Sequence, residues 1–202
     1  MHNRNIVSIS IIIVFILAAG CISSSPQNPQ SASQTPLAQS PIITGTPAGP
    51  GVFVIRVENL NPGDFLPDAF TCKGASESPQ ITWDNVPAGT KSLVLIVEDP
   101  DALKGTFTHW LVYNIPPESR ELTRAQPGVK VLSSGAQQGE TSAGFRGYFP
   151  PCPPPGPAHR YIFRLYAVDT NITQPTGDRD SINIALEGHI ITQALFVTIF
   201  AR

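Results

Sequence analysis

Apolar positions along this chain fall into separated runs, and their periods differ. Ile6 through Ala19 is continuous, broken only by Ser8 and Ser10. Val52–Val57, Ser92–Glu98, Thr106–Ile115 and Tyr161–Asp169 alternate or run on in Val, Ile, Leu, Phe and Tyr, which predicts β-strands. Turn chemistry separates them at Asn61-Pro-Gly-Asp64, Pro87-Ala-Gly-Thr90 and Gln126-Pro-Gly-Val129. Near the end, Asp180-Ser181 is placed to cap a short helix running towards Gly188. Apolar residues resume from Ile190 to Phe200, where the pattern suits helix or strand equally. The expectation is a mainly β, antiparallel protein with one or two short helices late in the chain.

The first run does not belong to that fold. It is fourteen residues long, short of the ~20 that span hydrocarbon. It follows Arg4 and ends at Ala18-Ala19-Gly20-Cys21, as the core of a signal peptide does. The cysteine after small residues resembles a lipobox, the motif of prokaryotic lipoproteins, with Leu17 one place further out than usual. An uncleaved anchor and a plain secretory signal are the alternatives. All three export the domain, and the first ties it to the membrane through lipid on Cys21. Ile22 to about Pro50 is Ser, Gln, Pro, Thr and Ala, with no charged residue between Arg4 and Arg56. Such a stretch buries too little apolar surface to offset its ordering entropy, so it predicts a tether. The expected organisation is a lipoprotein signal peptide over 1–20, a Ser/Gln/Pro-rich tether over 21–51 and a folded domain over 52–202.

Composition narrows the reading. Of 202 residues, 13 are Lys or Arg and 15 Asp or Glu, a net charge of −2 and a 14% charged share. That share lies well under the roughly 25% of ordinary soluble domains and excludes a basic nucleic-acid surface. The 16 Gly and 21 Pro follow no repeat and argue against a helical bundle. If Cys21 carries lipid, Cys72 and Cys152 remain as an even pair in an oxidising compartment. A disulfide between them would close a loop of about eighty residues, worth roughly 4 kcal/mol on the chain-entropy account. Two separate buried thiols are the other possibility.

Candidate chemistry gathers in two segments. Asp99-Pro-Asp-Ala102 follows one apolar strand, and His109-Trp110 opens the next. The second segment is Pro151–Tyr161, where six of the eight residues Pro150–Pro157 are proline. A stiff proline loop that delivers His159 and Tyr161 to a strand start suits a preorganised pocket wall. Each piece also has a plain reading, as a turn, a core pair or a rigid crossover.

Together, Asp99-Pro-Asp-Ala102, His109-Trp110, Pro153-Pro-Pro-Gly156 and His159-Arg-Tyr161 resemble, in order and spacing, the phosphatidylethanolamine-binding protein (Raf kinase inhibitor protein) family, nearest its prokaryotic branch. Phe70-Thr-Cys-Lys-Gly74, Ser78-Pro79, Ile81-Thr-Trp83, Val86–Ser92, Gly144–Tyr148 and Gly188-His189 support the match, which runs from about Val52 to Arg202. The resemblance implies a sandwich-like fold of two antiparallel sheets with short helices near the C-terminus. It also implies a small pocket for phosphate-type head groups, lined by Asp99, Asp101, His109, Pro153, His159 and Tyr161. In it the histidines are donors to phosphate oxygens, and Asp99 orients a histidine or receives an ammonium group. Pro151 stands where the family usually has glycine, removing a backbone donor, and Val197 and Phe200 replace the usual glycine and tyrosine.

The leading expectation is a non-enzymatic binding or inhibitor module outside the cytoplasm, without a cofactor. Its partners would be a phosphate-type or phospholipid head group, or a protein such as a protease. The rival is a metal-dependent or hydrolytic enzyme using Asp99 or Asp101 with His109 and His159 as a two-His-one-carboxylate set. Neither a G-x-S-x-G elbow nor an H-E-x-x-H or C-x-x-C pair occurs.

Overall fold

A computed structural model describes residues 51–173 and 176–202 of the chain. The expected signal segment, nearly all of the tether and Cys21 lie outside the described residues.

Among the described residues, eight strands form two antiparallel sheets. β1 (Val54–Val57), β2 (Ile81–Asp84) and β5 (Glu121–Leu122) make the smaller, in the order β1-β2-β5. The larger contains β3 (Ser92–Asp99), β4 (Phe107–Ile115), β6 (Gln137–Gln138), β7 (His159–Val168) and β8 (Ile190–Phe200), in the order β6-β4-β3-β7-β8. The segment from Ile190 that the pattern left open is therefore a strand. Ten of its residues pair with β7, from His159↔Phe200 to Val168↔Ile190.

One core fills the space between the sheets. Ile55, Ile81 and Trp83 of the small sheet meet Leu93, Leu95, Val97, Trp110, Phe163 and Phe196 of the large one. Each large side chain enclosed there contributes about 1.5–3 kcal/mol by leaving water. The far face of the large sheet has its own cluster, in which Val94, Ile96, Leu111 and Tyr113 pack under Ile182 and Leu186 of α1 (Arg179–Leu186). Covered on both faces, β3 is buried at all eight positions, which is why it reads as an unbroken apolar run.

The helix is capped two residues earlier than the sequence suggested. Asp178, not Asp180 or Ser181, is the N-cap, and its carboxylate accepts from the backbone N–H of Ser181 at 2.9 Å. Ser181 thus stands three residues past the cap, where a first-turn N–H needs an acceptor. α1 is the only α-helix among the described residues; a short 3-10 turn at Asp68–Phe70 accompanies it far back in the chain. Gly188 and His189 belong to the turn into β8, not to a helix. Gly188 takes φ +76°, a left-handed conformation natural to glycine.

Two ties hold the cleft end of the sandwich. Cys72 and Cys152 form a disulfide with Cα atoms 5.4 Å apart, and the Cys72 N–H donates to the Pro151 carbonyl at 3.1 Å. The segment Gly63–Leu66 lies along the outer edge of β8. Gly63 and Leu66 donate to the carbonyls of Val197 and Ile199 at 2.7 and 2.8 Å, occupying part of an otherwise open edge.

Candidate functional site

The site forms where β3 ends and β7 begins. Asp99, the last residue of β3, is buried, and both its carboxylate oxygens are engaged. Oδ1 accepts from the Asp101 N–H at 2.8 Å, closing the Asp-Pro-Asp turn on itself. Oδ2 accepts from Nδ1 of His159 at 2.7 Å. A carboxylate can only accept here, so the proton is on Nδ1 and the ring presents Nε2 outward.

His109 reaches the same place through an irregularity of β4. Val97 pairs with Trp110 and Glu98 with Thr108, so one residue on β3 answers two on β4 and His109 is the extra one. Such a bulge breaks the alternation that would send His109 and Trp110 to opposite faces. The imidazole meets Tyr161 edge-on at 5.2 Å between centroids, although Trp110 belongs to the inner core as well. Its Nδ1 lies 2.8 Å from the Phe149 carbonyl, while the Phe149 N–H donates to the His109 carbonyl at the same distance. A carbonyl has no proton to give, so Nδ1 carries it. Nε2 has no protein partner among the described residues. Burial holds this imidazole below its ordinary value; the Phe149 carbonyl and Asp99 oppose that, and His159 adds to it.

Between these rings lies a cleft of about 560 Å³, within the range of small-molecule sites. The Ala102–Phe107 segment and Pro153 wall it, with His109, His159, Tyr161 and Phe149 around them. Lys104 stands exposed on that segment with no ion-pair partner among the described residues. Tyr161 is wholly buried, and its hydroxyl has no hydrogen-bond partner there. Leaving such a group unpaired costs about 1–3 kcal/mol. Burial first, then Asp99 and Asp101, pushes the phenol well above its ordinary range, so it stays protonated.

Of the sequence-derived candidates, Asp99, His109, Pro153, His159 and Tyr161 all line the cleft. Asp101 does not. Its carboxylate forms a two-pronged pair with Arg160, accepting from Nε at 2.9 Å and Nη2 at 2.7 Å, and from the Arg160 backbone N–H at 2.9 Å. Those Arg160 hydrogen bonds outweigh burial and hold its pKa at about 2. Asp101 therefore pins the start of β7 to the turn after β3, a structural duty. The Pro151 carbonyl is spent on Cys72, and Phe200 is buried as the cross-strand partner of His159. Among the described residues, no three His, Cys, Asp or Glu side chains are gathered around a point that could hold a metal ion. The group that sequence reasoning missed is the Phe149 carbonyl. It lies 40 residues from His109, and any residue type could supply it.

Two antiparallel sheets, a cleft at the strand ends and two oriented imidazoles in its wall define the class: a β-sandwich domain with a built small-molecule cleft. The family model described as phosphatidylethanolamine-binding protein matches residues 57–201, and the chain belongs to that family. A UPF0098 protein of Methanothermobacter thermautotrophicus is 40% identical over 149 residues, covering 73% of this chain and 98% of the relative. Another UPF0098 protein, from Aquifex aeolicus, is 40% identical over 158 residues, covering 77% and 92%. Among solved structures, the phosphatidylethanolamine-binding-protein homolog CT736 from Chlamydia trachomatis superposes with a TM-score of 0.68 at 34% identity, covering 75% of this chain and 99% of its own. YbcL of E. coli, described as a member of the mammalian family, gives the same TM-score at 30% identity, covering 74% and 98%.

Proposed function

We propose that the domain is a non-catalytic binding module, displayed outside the cytoplasm on a lipid anchor, whose cleft takes a small phosphate-type anion. The observation that carries this reading is the His159–Asp99 pair. A protonated His159 donates to the buried carboxylate from Nδ1 and to a ligand from Nε2, a charge-assisted bond to an oxyanion held in fixed direction. The exposed Lys104 ammonium on the cleft wall supports it.

Titration of inorganic phosphate into the domain by calorimetry tests the reading. His159→Ala is expected to weaken binding about tenfold or more, since a charge-assisted donor is worth roughly 1.5–3 kcal/mol. Equal affinity in parent and variant would move the function to another surface. The anchor is tested separately. Cys21→Ser is expected to stop processing or release the protein from the membrane fraction, and a variant processed and membrane-bound like the parent overturns that part.

A further inference from the structure

A loop at the end of the molecule away from the cleft carries chemistry of its own. Asn171-Ile-Thr173 follows β7, and nowhere else in the chain does asparagine stand two residues before serine or threonine without a proline between. In an exported protein that pattern is the acceptor for N-linked sugar.

The fold turns the two chemical groups of the pattern outward. Asn171 and Thr173 are exposed, whereas Ile172 between them is 3% exposed and packs in one cluster with Ile182 and Leu186 of α1. Asn114 holds this middle residue on both sides. Its Oδ1 accepts from the Ile172 N–H at 2.7 Å, and its Nδ2 donates to the Ile172 carbonyl at 2.8 Å. With Ile172 anchored inward, its neighbours face solvent together, as alternate positions of an extended chain do. The Asn171 carbonyl accepts from the Thr170 hydroxyl, but neither the Asn171 amide nor the Thr173 hydroxyl has a hydrogen-bond partner among the described residues.

We propose that Asn171 is a glycosylation site, its side-chain amide receiving a glycan carried on a polyisoprenyl phosphate or pyrophosphate. The amide nitrogen bonds to the anomeric carbon of the glycan. The bond from that carbon to the carrier's phosphate oxygen breaks, its electron pair stays on the phosphate, and the amide proton passes to a base of the transferring enzyme. Nothing is oxidised or reduced. This inference rests on the reading above that the domain is displayed outside the cytoplasm.

Two features of the fold suit such a product. β7 spans ten residues from His159 to Val168, and Asn171 lies beyond its far end. At ~3.3 Å per residue the strand is about 30 Å long, so a bulky sugar there leaves the cleft mouth clear. The helix that covers Ile172 also comes later in the chain than Asn171. Until α1 docks, the acceptor segment is free to enter an enzyme, which places the transfer during export. Asn59, Asn61 and Asn85 are exposed too, but have no hydroxyl two residues on, and serve as controls within the same chain.

The experiment is mass spectrometry of the full-length protein purified from its own cells, with added protease on intact cells reporting which side of the membrane holds the domain. Cleavage after Arg164 and Arg179 releases a peptide in which Asn171 is the only asparagine. That peptide is expected to carry whole sugar units on Asn171, and the peptides with Asn59, Asn61 and Asn85 none. Asn171→Gln and Thr173→Ala are expected to abolish the added mass, and Thr173→Ser to keep it. The two Thr173 variants alter the same exposed side chain, so their difference separates recognition of the hydroxyl from disturbed folding. A bare Asn171 in a domain found outside overturns this inference and leaves the display reading standing, and sugar that persists in Thr173→Ala overturns it as well. A domain found on the cytoplasmic side ends the display reading, and this one falls with it.

Discussion

Two His–Asp pairs stand at opposite ends of β7, and their contact lengths are identical. His159, the first residue of the strand, meets Asp99 at 2.7 Å; His189 meets Asp169, just past the last residue, also at 2.7 Å. They differ in surroundings. The first pair's side chains are 12% and 5% exposed, the second pair's 49% and 53%. In water, such a pair yields about 0–1 kcal/mol because solvent screens the charges and side-chain freedom is lost. Enclosed, the same contact fixes a ring and its proton. β4 repeats the lesson with its two bulges. At the cleft end the extra residue is His109, whose Nε2 has no protein partner among the described residues. At the far end Asn114 takes φ +53°, and its amide is used up on the N–H and carbonyl of Ile172 at 2.7 and 2.8 Å. The irregularity is the same. Whether a polar group is left over separates a site from a joint.

The largest effect that distinguishes the two ends should come from the disulfide, which ties only the cleft end. Replacing Cys72 and Cys152 together by Ala is expected to cost about 4 kcal/mol in denaturant unfolding, since the ring it opens spans 80 residues. A loss below about 1 kcal/mol would show that the proline loop holds itself. Next come the carboxylates. Asp99→Asn removes a buried partner of His159 and should cost about 2 kcal/mol, whereas Asp169→Asn should stay within about 0.5 kcal/mol. Equal costs would refute the claim that burial, not contact length, separates the pairs. A smaller effect than that of Asp99 concerns Asp101. Its pKa is depressed from 3.8 to about 2, so its contribution is present above 3.8 and lost as pH falls towards 2. Solvent reaches the Arg160 pair, which limits the contribution to about 1 kcal/mol. His109 works in a higher window. Its folded value lies below 6.5, so the unfolded chain binds more protons and stability declines as pH drops through and below 6.5. Unfolding curves of Asp101→Asn and His109→Gln against pH should each flatten in their own window, and unchanged slopes would contradict the assignment.

How much of this was legible beforehand follows from what each feature depends on. β3, β4 and β7 announce themselves because strands in the middle of a sheet carry long apolar runs. β5 and β6, at Glu121–Leu122 and Gln137–Gln138, are strands only through their partners: Ile81–Thr82 for β5 and Val112–Tyr113 for β6. Two residues have no period to detect. Asp99, His159 and Tyr161 were accessible through motif and order, and the stiff proline loop hinted that something is held in place. Asp101 looked like its neighbour Asp99 in sequence, but Arg160 claims it. The different partner that orients His109 rests on a bulge and on a backbone carbonyl, neither of which leaves a mark on residue identity.

The order of strands in the large sheet also has a consequence in time. β3 lies between β4, which follows it closely in the chain, and β7, which is added much later. Until His159–Val168 has emerged and entered beside it, the most apolar strand of the protein presents one row of unpaired N–H and C=O groups. Pairings that must wait for distant chain are slow to form, and exposed strand edges recruit other copies. Refolding yield should therefore depend on protein concentration more steeply than native solubility would suggest. The danger ends once β7 is in place.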